Sequence, residues 1–569
     1  MRCMCFLALM AWTAGFSPGS EVLASELPGS EPMQRPNILL IVADDLGYAD
    51  IGAYGGEINT PNLDQLAEEG ARFTSFYTQA SCSPTRSILL TGVDNHRNGL
   101  GTMAEDRLPH QHDLPGYVGY LNQQVVTVAQ LLKDGGYHTY ISGKWHLGIA
   151  KAQRPANRGF EKSYVLLHGG GNHFNDNGNN SKRRKVSYAS NGKLVQRPSN
   201  VYSSDLFTDK LLAFLKADNK RAEKKPFFAY LAFTAPHFPL QAPVDLIQKY
   251  ISGYASGWDK IRAQRFQGMK NVGLIENDQT LPPRLNSVPA WDSLGEPAQK
   301  LEAKKMAVYA AMVDSLDANI GRVIDHLKTT GQYENTIILF LSDNGADPYD
   351  RSHRQIYRDF FSDGYVNTLE NMGNANSYFF NGTAWAQVAS VYQKDYKFLL
   401  SQGGIHAPLI MRYPGQLDKG GDKVAFASVY DITPTLLEFA GVAHPGKRYQ
   451  GRVVSPLQGR SMLNYLYDRH TSVYTDKEPI AFELFGHGAV FMGDYKALKI
   501  RPPQGDDQWR LYNLRKDPGE LQDLAGQKPE LLVLLKQYFS DYMTANHIIS
   551  EPDGVTAYPE VPRYTGGGT

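Results

Sequence analysis

The feature of this chain that most restricts its fold is a pair of continuous apolar runs that each end in polar residues. The runs are residues 38–43 and residues 337–341, and neither shows polar alternation. Both stop at side chains that carry oxygen: Asp44 and Asp45 after the first run, Asp343 and Asn344 after the second. Short runs of this kind are typical of central parallel strands that helices cover on both faces. The pattern therefore predicts an α/β sheet with oxygen ligands at two strand ends.

Two weaker runs repeat the arrangement. Residues 138–142 lead into a polar stretch that includes Lys144 and His146, and residues 227–234 lead into His237. In an open α/β sheet the functional sites lie beyond the carboxyl ends of the strands. We therefore expect these three side chains to meet the two acidic pairs at one edge of the sheet.

Helical patterns separate the apolar runs. Residues 61–70 begin with Pro, place apolar residues at helical spacing and close with Gly. Residues 306–327 carry a longer apolar face. Strand, crossover helix and strand thus recur, which predicts an α/β domain over residues 36–440 with a large, doubly wound, mixed but mostly parallel sheet flanked by helices.

The pattern changes after about residue 440. Short alternating segments at 481–484, 495–500 and 509–512 predict antiparallel strands, and residues 529–542 predict an amphipathic helix. A chain of 569 residues also exceeds what one core usually supports. We therefore expect a smaller C-terminal α+β domain, built on an antiparallel sheet, over residues 441–569.

The N-terminus and the charge balance bear on location and partners. Residues 1–24 predict a signal peptide, because Arg2 precedes the apolar stretch 3–16 and a small residue, Ala24, ends the segment. The apolar stretch is shorter than the ~20 residues that a membrane span needs, which argues against an anchor. We expect a periplasmic or secreted protein without a stable membrane anchor. Cys3 and Cys5 leave with the signal peptide, so the mature chain keeps only Cys82. Lys plus Arg and Asp plus Glu both number 58, and this balance predicts no nucleic-acid partner.

The two acidic pairs offer only oxygen to a metal. Such ligands suit a hard divalent cation, Ca²⁺ or Mg²⁺, better than Zn²⁺, and Ca²⁺ is favoured because all-protein cages suit it. Either pair alone would be explained as turn and cap residues at a strand end.

Cys82 begins a segment, residues 82–92, with a helical pattern. Pro84 suits the first helical turn, and the apolar residues that follow suit its continuation. A helix beginning there would direct free N–H groups at an anion, and Arg86 would add a guanidinium group. A single buried Cys, taken by itself, is more often a small apolar residue.

The segment that starts at Cys82 resembles the Cys-x-Pro-x-Arg signature of the formylglycine-dependent sulfatases, which belong to the alkaline phosphatase superfamily. Residues 143–148, both acidic pairs and His237 resemble the same family in the same order. The likeness is closest to bacterial arylsulfatases, judged from residues 374–378 and 402–405, although many members have Glu where Gln402 stands.

This resemblance implies hydrolysis of sulfate esters. Cys82 would be oxidised to formylglycine by a formylglycine-generating maturation enzyme, and one hydroxyl of the hydrated aldehyde would attack sulfur. One Ca²⁺ per chain would assist, and its ligands would be Asp44, Asp45, residue 82, Asp343 and Asn344. The covalent sulfated hemiacetal would then expel sulfate without attack of water on sulfur.

The resemblance also implies roles for the remaining residues. Lys144 and Arg86 would hold the sulfate and the nucleophile, and Asp343 would accept the proton of the attacking hydroxyl. His237 and Lys397 would stabilise or protonate the departing alcohol, with Lys397 placed by its spacing from Gln402. His146 would take the proton of the second hydroxyl.

Two other functions stay open at this point. A phosphodiester or phosphonate monoester hydrolase of the same superfamily would share the nucleophile and the metal, and a Ca²⁺-dependent binder of sulfated glycans would need no catalysis. The aromatic-rich insert, residues 348–397, carries a further hypothesis: it walls the pocket and selects the alcohol part of the ester, so that exchange of Tyr378 or Trp385 for Ala should change substrate preference more than stability. Ordinary packing explains its aromatic residues equally well.

Overall fold

The computed structural model describes residues 35–178, 185–362, 364–413, 417 and 421–566. The predicted signal peptide lies outside these described residues. Residues from Arg35 onward form one compact unit. In the described part of the chain, no helix has the length and apolar character needed to cross a bilayer.

The strands of the described residues carry their labels in chain order. They are β1 (Asn37–Ala43), β2 (Ala71–Phe73), β3 (Phe76–Tyr77), β4 (His138–Lys144), β5 (Lys162–Leu166), β6 (Tyr188–Ser190), β7 (Lys193–Val195), β8 (Phe227–Ala232), β9 (Thr336–Ser342), β10 (Leu409–Arg412), β11 (Gly421–Lys423), β12 (Ala427–Ser428), β13 (Arg448–Tyr449), β14 (Arg452–Val453), β15 (Ile480–Leu484), β16 (His487–Met492), β17 (Tyr495–Lys499) and β18 (Trp509–Asn513).

The α-helices are labelled in the same way. They are α1 (Pro61–Glu69), α2 (Cys82–Thr91), α3 (Asn95–Asn98), α4 (Val128–Asp134), α5 (Ser203–Asp218), α6 (Val244–Tyr250), α7 (Gly257–Asn271), α8 (Glu296–Thr329), α9 (Gln355–Phe361), α10 (Thr383–Ser390), α11 (Gln402–Ile405), α12 (Val429–Phe439), α13 (Leu463–Leu466) and α14 (Pro529–Ala545).

A ten-stranded sheet with the order β11-β2-β10-β9-β1-β8-β4-β5-β6-β7 organises the molecule. Its central strands β9, β1, β8, β4 and β5 are all parallel. Antiparallel pairs lie to either side, where β10 joins β9 to β2 and β6 joins β5 to β7. The predicted large, mixed and mostly parallel sheet is confirmed.

The burial of β1 explains its unbroken apolar run. Its residues alternate between two apolar cores on opposite faces of the sheet. Ile38, Leu40 and Val42 pack into one core, and the residues between them pack into the other. Because both faces are covered, no position along the strand favours a polar side chain.

The predicted antiparallel sheet forms near the C-terminus and has four strands in the order β15-β16-β17-β18, of which β16 was not among the three predicted segments. Helix α14 packs on it, where Leu535 and Phe539 meet Val490, Ala497 and Leu511. The domain boundary near residue 440 stays a prediction.

The aromatic-rich insert is more regular than its composition indicates, since it contains α9 and α10. Trp385 is fully buried, and its indole N–H donates to the carbonyl oxygen of Glu302 at 3.0 Å. Its ring packs edge-on against Trp258 and Trp291. The hypothesis that Trp385 lines the substrate pocket is therefore wrong, because its ring belongs to the core. Tyr378 is also buried, in an aromatic cluster with Tyr357, Phe360 and Phe380.

A buried histidine ties the C-terminal sheet to the α/β body. His96 lies with Nδ1 2.9 Å from Asp94 and Nε2 2.6 Å from Glu483 of β15. Tyr430 and Tyr542 each donate a 2.6 Å hydrogen bond to Asp94. Burial acts to lower the pKa of His96, but Glu483 and Asp94 outweigh it and raise the pKa to about 10. The imidazole is therefore a buried cation at neutral pH.

This ion pair makes stability depend on pH. The pKa of His96 in the folded protein, about 10, lies above the ordinary imidazole value of 6.5, so the stabilisation is complete below pH 6.5 and is lost as pH rises through 10. Between these limits we expect the free energy of unfolding to fall by about 1.4 kcal/mol per pH unit through this group. In thermal melts from pH 6.5 to 10, the melting temperature of wild type should decline more steeply with pH than that of His96→Gln. Parallel curves would contradict the assignment.

Candidate active site

The carboxyl ends of four adjacent strands bring the predicted polar residues to one edge of the sheet. In sheet order, β9 leads to Asp343, β1 to the Asp44 and Asp45 pair, β8 to the loop that carries His237, and β4 ends at Lys144. Gly143 has a φ of 121°, and a Cβ at this position would lie 1.8 Å from the carbonyl oxygen of Ala232. Only glycine therefore fits directly before Lys144.

The backbone at Asp45 lets two consecutive carboxylates face the same side. Successive side chains of an extended strand point in opposite directions. Asp45 adopts a φ of 65°, in the left-handed region that Asp tolerates better than most residues. Both carboxylates consequently reach Cys82: its Sγ lies 3.4 Å from Oδ1 of Asp44 and 3.6 Å from Oδ1 of Asp45.

Cys82 is the first residue of α2 and is 1% exposed. The Nζ of Lys397 lies 3.3 Å from its Sγ, so a cation and two carboxylates surround the sulfur. Burial, followed by the charge of Asp343, raises the pKa of the thiol well above its ordinary value.

Buried ion pairs hold the carboxylates in place. Lys144 donates to both oxygens of Asp44 at 2.8 Å. Arg86 donates through Nε to Asp343 at 2.8 Å, and Lys397 donates to Asp45 at 2.6 Å. Each of these six side chains is nearly or fully buried.

The pKa values of the carboxylates differ with their partners. Burial raises the pKa of Asp44 to about 6, although Lys144 acts against it. Burial would also raise the pKa of Asp45, but Lys397 and His237 outweigh it and leave the pKa below its ordinary value. The pKa of Asp343 is likewise lowered, because Arg86 and Lys144 outweigh burial.

Four residues of the site are grouped closely enough to hold a metal ion. The ligand atoms of Asp44, Asp45, Cys82 and Asp343 all lie within 4.8 Å of one another. Asn344 donates through Nδ2 to Asp45 at 2.7 Å. Within the described residues, Oδ2 of Asp45 and Oδ1 of Asn344 are buried without a hydrogen-bond partner. Unpaired buried oxygens among three carboxylates fit a hard divalent cation.

His237 lies at the edge of this cluster. Its Nε2 is 3.7 Å from Oδ2 of Asp45, and Nδ1 donates to the carbonyl oxygen of Phe238 at 2.6 Å. Burial lowers the pKa of His237 to about 4, with Asp45 acting in the opposite direction.

His146 has a partner that the sequence did not indicate. Its Nε2 lies 2.9 Å from Oε1 of Glu105. Since a carboxylate only accepts hydrogen bonds, Nε2 carries the proton, and Nδ1 is buried without a partner in the described structure. A Cβ on Gly169 would come within 2.6 Å of the imidazole, so this glycine packs on the ring. Glu105 stands in a short 3-10 helix, Ala104–Asp106, where no apolar period or spacing marks it.

The sulfatase family model matches residues 36–442, which is well over half of the chain. The chain belongs to the sulfatase family. A second family model, described as the C-terminal part of N-sulphoglucosamine sulphohydrolase, matches residues 392–542. The resemblance to formylglycine-dependent sulfatases of the alkaline phosphatase superfamily is confirmed.

Curated relatives agree with this membership. The sulfatase is 42% identical to an uncharacterised sulfatase of Schizosaccharomyces pombe over 92% of this chain and 96% of the relative. It is 38% identical to an arylsulfatase of Klebsiella aerogenes over 75% of this chain and 91% of that protein. A solved structure, Ps i-CgsB in complex with k-i-k-neocarrahexaose, matches with a TM-score of 0.64 and 26% identity, over 90% of this chain and 94% of that one. The protein is a sulfuric ester hydrolase.

The contact between Glu105 and His146 makes a prediction about turnover. Glu105→Gln removes the charge that fixes the imidazole tautomer, so we expect kcat to fall roughly tenfold to a hundredfold with KM little changed. Glu105→Asp should restore part of the loss. Steady-state kinetics over a pH series would measure both.

The chain offers a matched control for this variant. Glu161 pairs with Nδ1 of His138 at 2.8 Å, at the amino end of β4 and away from Cys82. Glu161→Gln should leave kcat unchanged. Equal effects of the two Gln substitutions would show that Glu105 acts only through folding.

Proposed function

We propose that this sulfatase hydrolyses sulfate esters through residue 82 in its formylglycine form, with the help of one bound Ca²⁺. The observation that carries the proposal is the convergence of Cys82, three carboxylates and three fixed cations in one buried cluster. Elsewhere in the described residues, no other group of His, Cys, Asp and Glu has the spacing of a metal site.

Formylglycine supplies two hydroxyls on one carbon when hydrated, so that one forms the bond to sulfur and the other allows the sulfated form to collapse and release sulfate. The first residue of a buried helix suits this role, because the free N–H groups of α2 and its dipole favour an anion there.

The charged residues of the chain position the ester and its protons. Arg86 and Lys144 present positive charge to the sulfate oxygens, while their bonds to Asp343 and Asp44 fix their direction. Asp343 accepts the proton of the attacking hydroxyl. Lys397 and His237, both beside Asp45, serve the departing alcohol.

His146 completes the proton transfers in the proposal. Its Nδ1 accepts the proton of the second hydroxyl, while Glu105 holds the proton on Nε2.

The metal ligands in the proposal are Asp44, Asp45, residue 82, Asp343 and Asn344. A divalent cation held by them supplies Lewis-acid stabilisation of negative charge on the sulfate oxygens. Ca²⁺ is favoured over Mg²⁺ because the oxygens come from the protein and lie in one buried group.

Substrate, maturation and location complete the proposal. The arylsulfatase from Klebsiella aerogenes supports an aryl sulfate or a related small ester as substrate. A formylglycine-generating enzyme is the partner that matures Cys82. Export to the periplasm or medium agrees with the predicted signal peptide at residues 1–24 and with Cys82 as the only cysteine that follows it.

The test is turnover of 4-nitrophenyl sulfate by protein co-expressed with a formylglycine-generating enzyme. Mass spectrometry of the peptide that contains residue 82 should detect the aldehyde, and Cys82→Ala should lower turnover by a factor on the order of 10³ or more. Ser83→Ala is the matched control, because the Ser83 hydroxyl has no partner in the described structure. We expect it to retain activity and the aldehyde.

Other outcomes would redirect the proposal. Faster hydrolysis of bis(4-nitrophenyl) phosphate than of the sulfate would favour the phosphodiester hydrolase. Full turnover by Cys82→Ala would refute the role of residue 82.

A further inference from the structure

The chain continues past its last helix as an extended tail, residues 549–566, that lies outside both family matches, which end at residues 442 and 542. Several contacts along its length fix the tail to the body, and four of them show its path. They are Glu551 with His110 at 2.8 Å, Tyr558 with Asp106 at 2.6 Å, Glu560 with Arg354 at 3.1 Å, and the Tyr564 N–H with the Ser287 carbonyl oxygen at 3.0 Å. The tail therefore has a defined path along the α/β body.

A cavity beside the catalytic cluster is linked to this tail through Tyr349, whose hydroxyl donates to the carbonyl oxygen of Glu560 at 3.0 Å. Its lining residues are Asp45, Pro236, His237, Phe238, Tyr309, Asp347, Tyr349 and Asn381. The cavity joins His237, which is proposed to serve the departing alcohol, to an aromatic wall. The phenyl ring of Phe238 stacks on the imidazole of His237 with 4.1 Å between ring centroids. The alcohol part of a bound ester would consequently enter between aromatic side chains.

Tyr558 of the tail extends this wall. Its ring stacks on Tyr349 at 5.7 Å and lies 4.1 Å from the ring of Phe398, next to the catalytic Lys397. Tyr558 stays partly exposed, and its hydroxyl donates to Asp106. This hydrogen bond holds the ring beside Tyr349 and Phe398. Glu105, the partner of His146, directly precedes Asp106 in the chain.

Charged groups around this wall are mainly acidic. Two guanidinium groups stand there: Arg351 pairs with Asp347 at 3.4 Å, and Arg354 pairs with Glu560 at 3.1 Å. The guanidinium of Arg351 lies over the rings of Phe238 and Tyr349 at 5.3 and 4.9 Å. Lys397 is paired with Asp45, so each of these three cations in the described structure already has an acidic partner, and none is left for a second anionic group on the substrate.

We propose that the C-terminal tail forms the outer wall of the leaving-group pocket, with Tyr558 as a specificity-determining residue for ring-bearing alcohols that carry one sulfate and no second anion. This inference rests on the proposed function for the direction in which the alcohol leaves. Aromatic faces pack against aryl rings and against the C–H faces of sugars, whereas short alkyl chains gain little from them.

Kinetics with paired substrates test the proposal. Tyr558→Ala should lower kcat/KM for phenyl sulfate roughly tenfold, mainly through KM, and change kcat/KM for ethyl sulfate by no more than about twofold. Tyr558→Phe keeps the ring and should stay within about threefold of wild type. Val561 lies in the same tail and is 49% exposed, so Val561→Ala is the control and should change kcat/KM for neither substrate. Equal losses for both esters would overturn the proposal and assign Tyr558 to folding alone.

Binding without turnover separates this inference from the proposed chemistry. Calorimetry in a Cys82→Ala background should show that phenyl sulfate binds roughly tenfold more weakly after Tyr558→Ala. If wild type does not turn over but this difference persists, the chemistry fails and the pocket stands. If turnover is normal and Tyr558→Ala binds phenyl sulfate like its parent, the pocket fails and the chemistry stands.

The absence of a second anion site has its own test. In the same background, 4-sulfooxybenzoate, which adds a carboxylate to the ring, should bind at least about tenfold more weakly than phenyl sulfate. Burial and the charge of Glu105 raise the pKa of Asp106 to about 7, so the comparison is made well above pH 7, where this carboxylate is ionised. Asp106→Asn then keeps an acceptor for Tyr558 and removes one charge, so it should narrow the difference in affinity between the two esters. Tighter binding of the carboxylated ester than of phenyl sulfate would overturn this part of the proposal.

Discussion

The balance of charge around Cys82 is the constraint on which the rest of the structure depends. Three carboxylates, Asp44, Asp45 and Asp343, are buried together with three cations, Arg86, Lys144 and Lys397. A buried charge that lost its partner would cost several kcal/mol, so the fold must deliver all six side chains together. The central strands deliver the carboxylates and Lys144, α2 delivers Arg86, and the end of the insert delivers Lys397. Since these charges cancel, a bound divalent cation leaves an excess of positive charge, which is the condition under which a buried site attracts a sulfate ester.

Sequence reasoning succeeded where one local pattern determines the structure. The apolar runs predicted the central strands, because a strand covered on both faces excludes polar residues. The residues that follow these runs had to lie together, because the carboxyl ends of parallel strands lie at the same edge of the sheet. The segment at Cys82 showed its helix through Pro84 and the apolar residues that follow. Alternation of apolar and polar residues predicted β15, β17 and β18, whereas β16 lacked a clear pattern and was not predicted.

Other features depend on contacts between distant segments, which no local pattern encodes. Trp385 looked like a pocket residue, but the indole rings of Trp258 and Trp291, from two separate segments, pack against it in the core. Glu105 carries no signal in the sequence, because its contact with His146 depends on where the short 3-10 helix Ala104–Asp106 lies in the fold. The same holds for Tyr558, which contacts Tyr349 and Phe398 only because the tail folds back on the α/β body. The strand ends that carry the candidate site are thus predictable from the sequence, whereas these contacts between distant segments are not.

The most direct test of the central claim is calorimetric binding of inorganic sulfate to the unmatured protein, with Ca²⁺ present and after chelation. The account predicts one Ca²⁺ per chain and sulfate binding that is at least about tenfold tighter when the cation is present, because only then does the cluster carry excess positive charge. Asp45→Asn should weaken Ca²⁺ binding and the coupling together. Equal sulfate affinity with and without Ca²⁺ would contradict the account, since the buried charges would then not be what selects the anion.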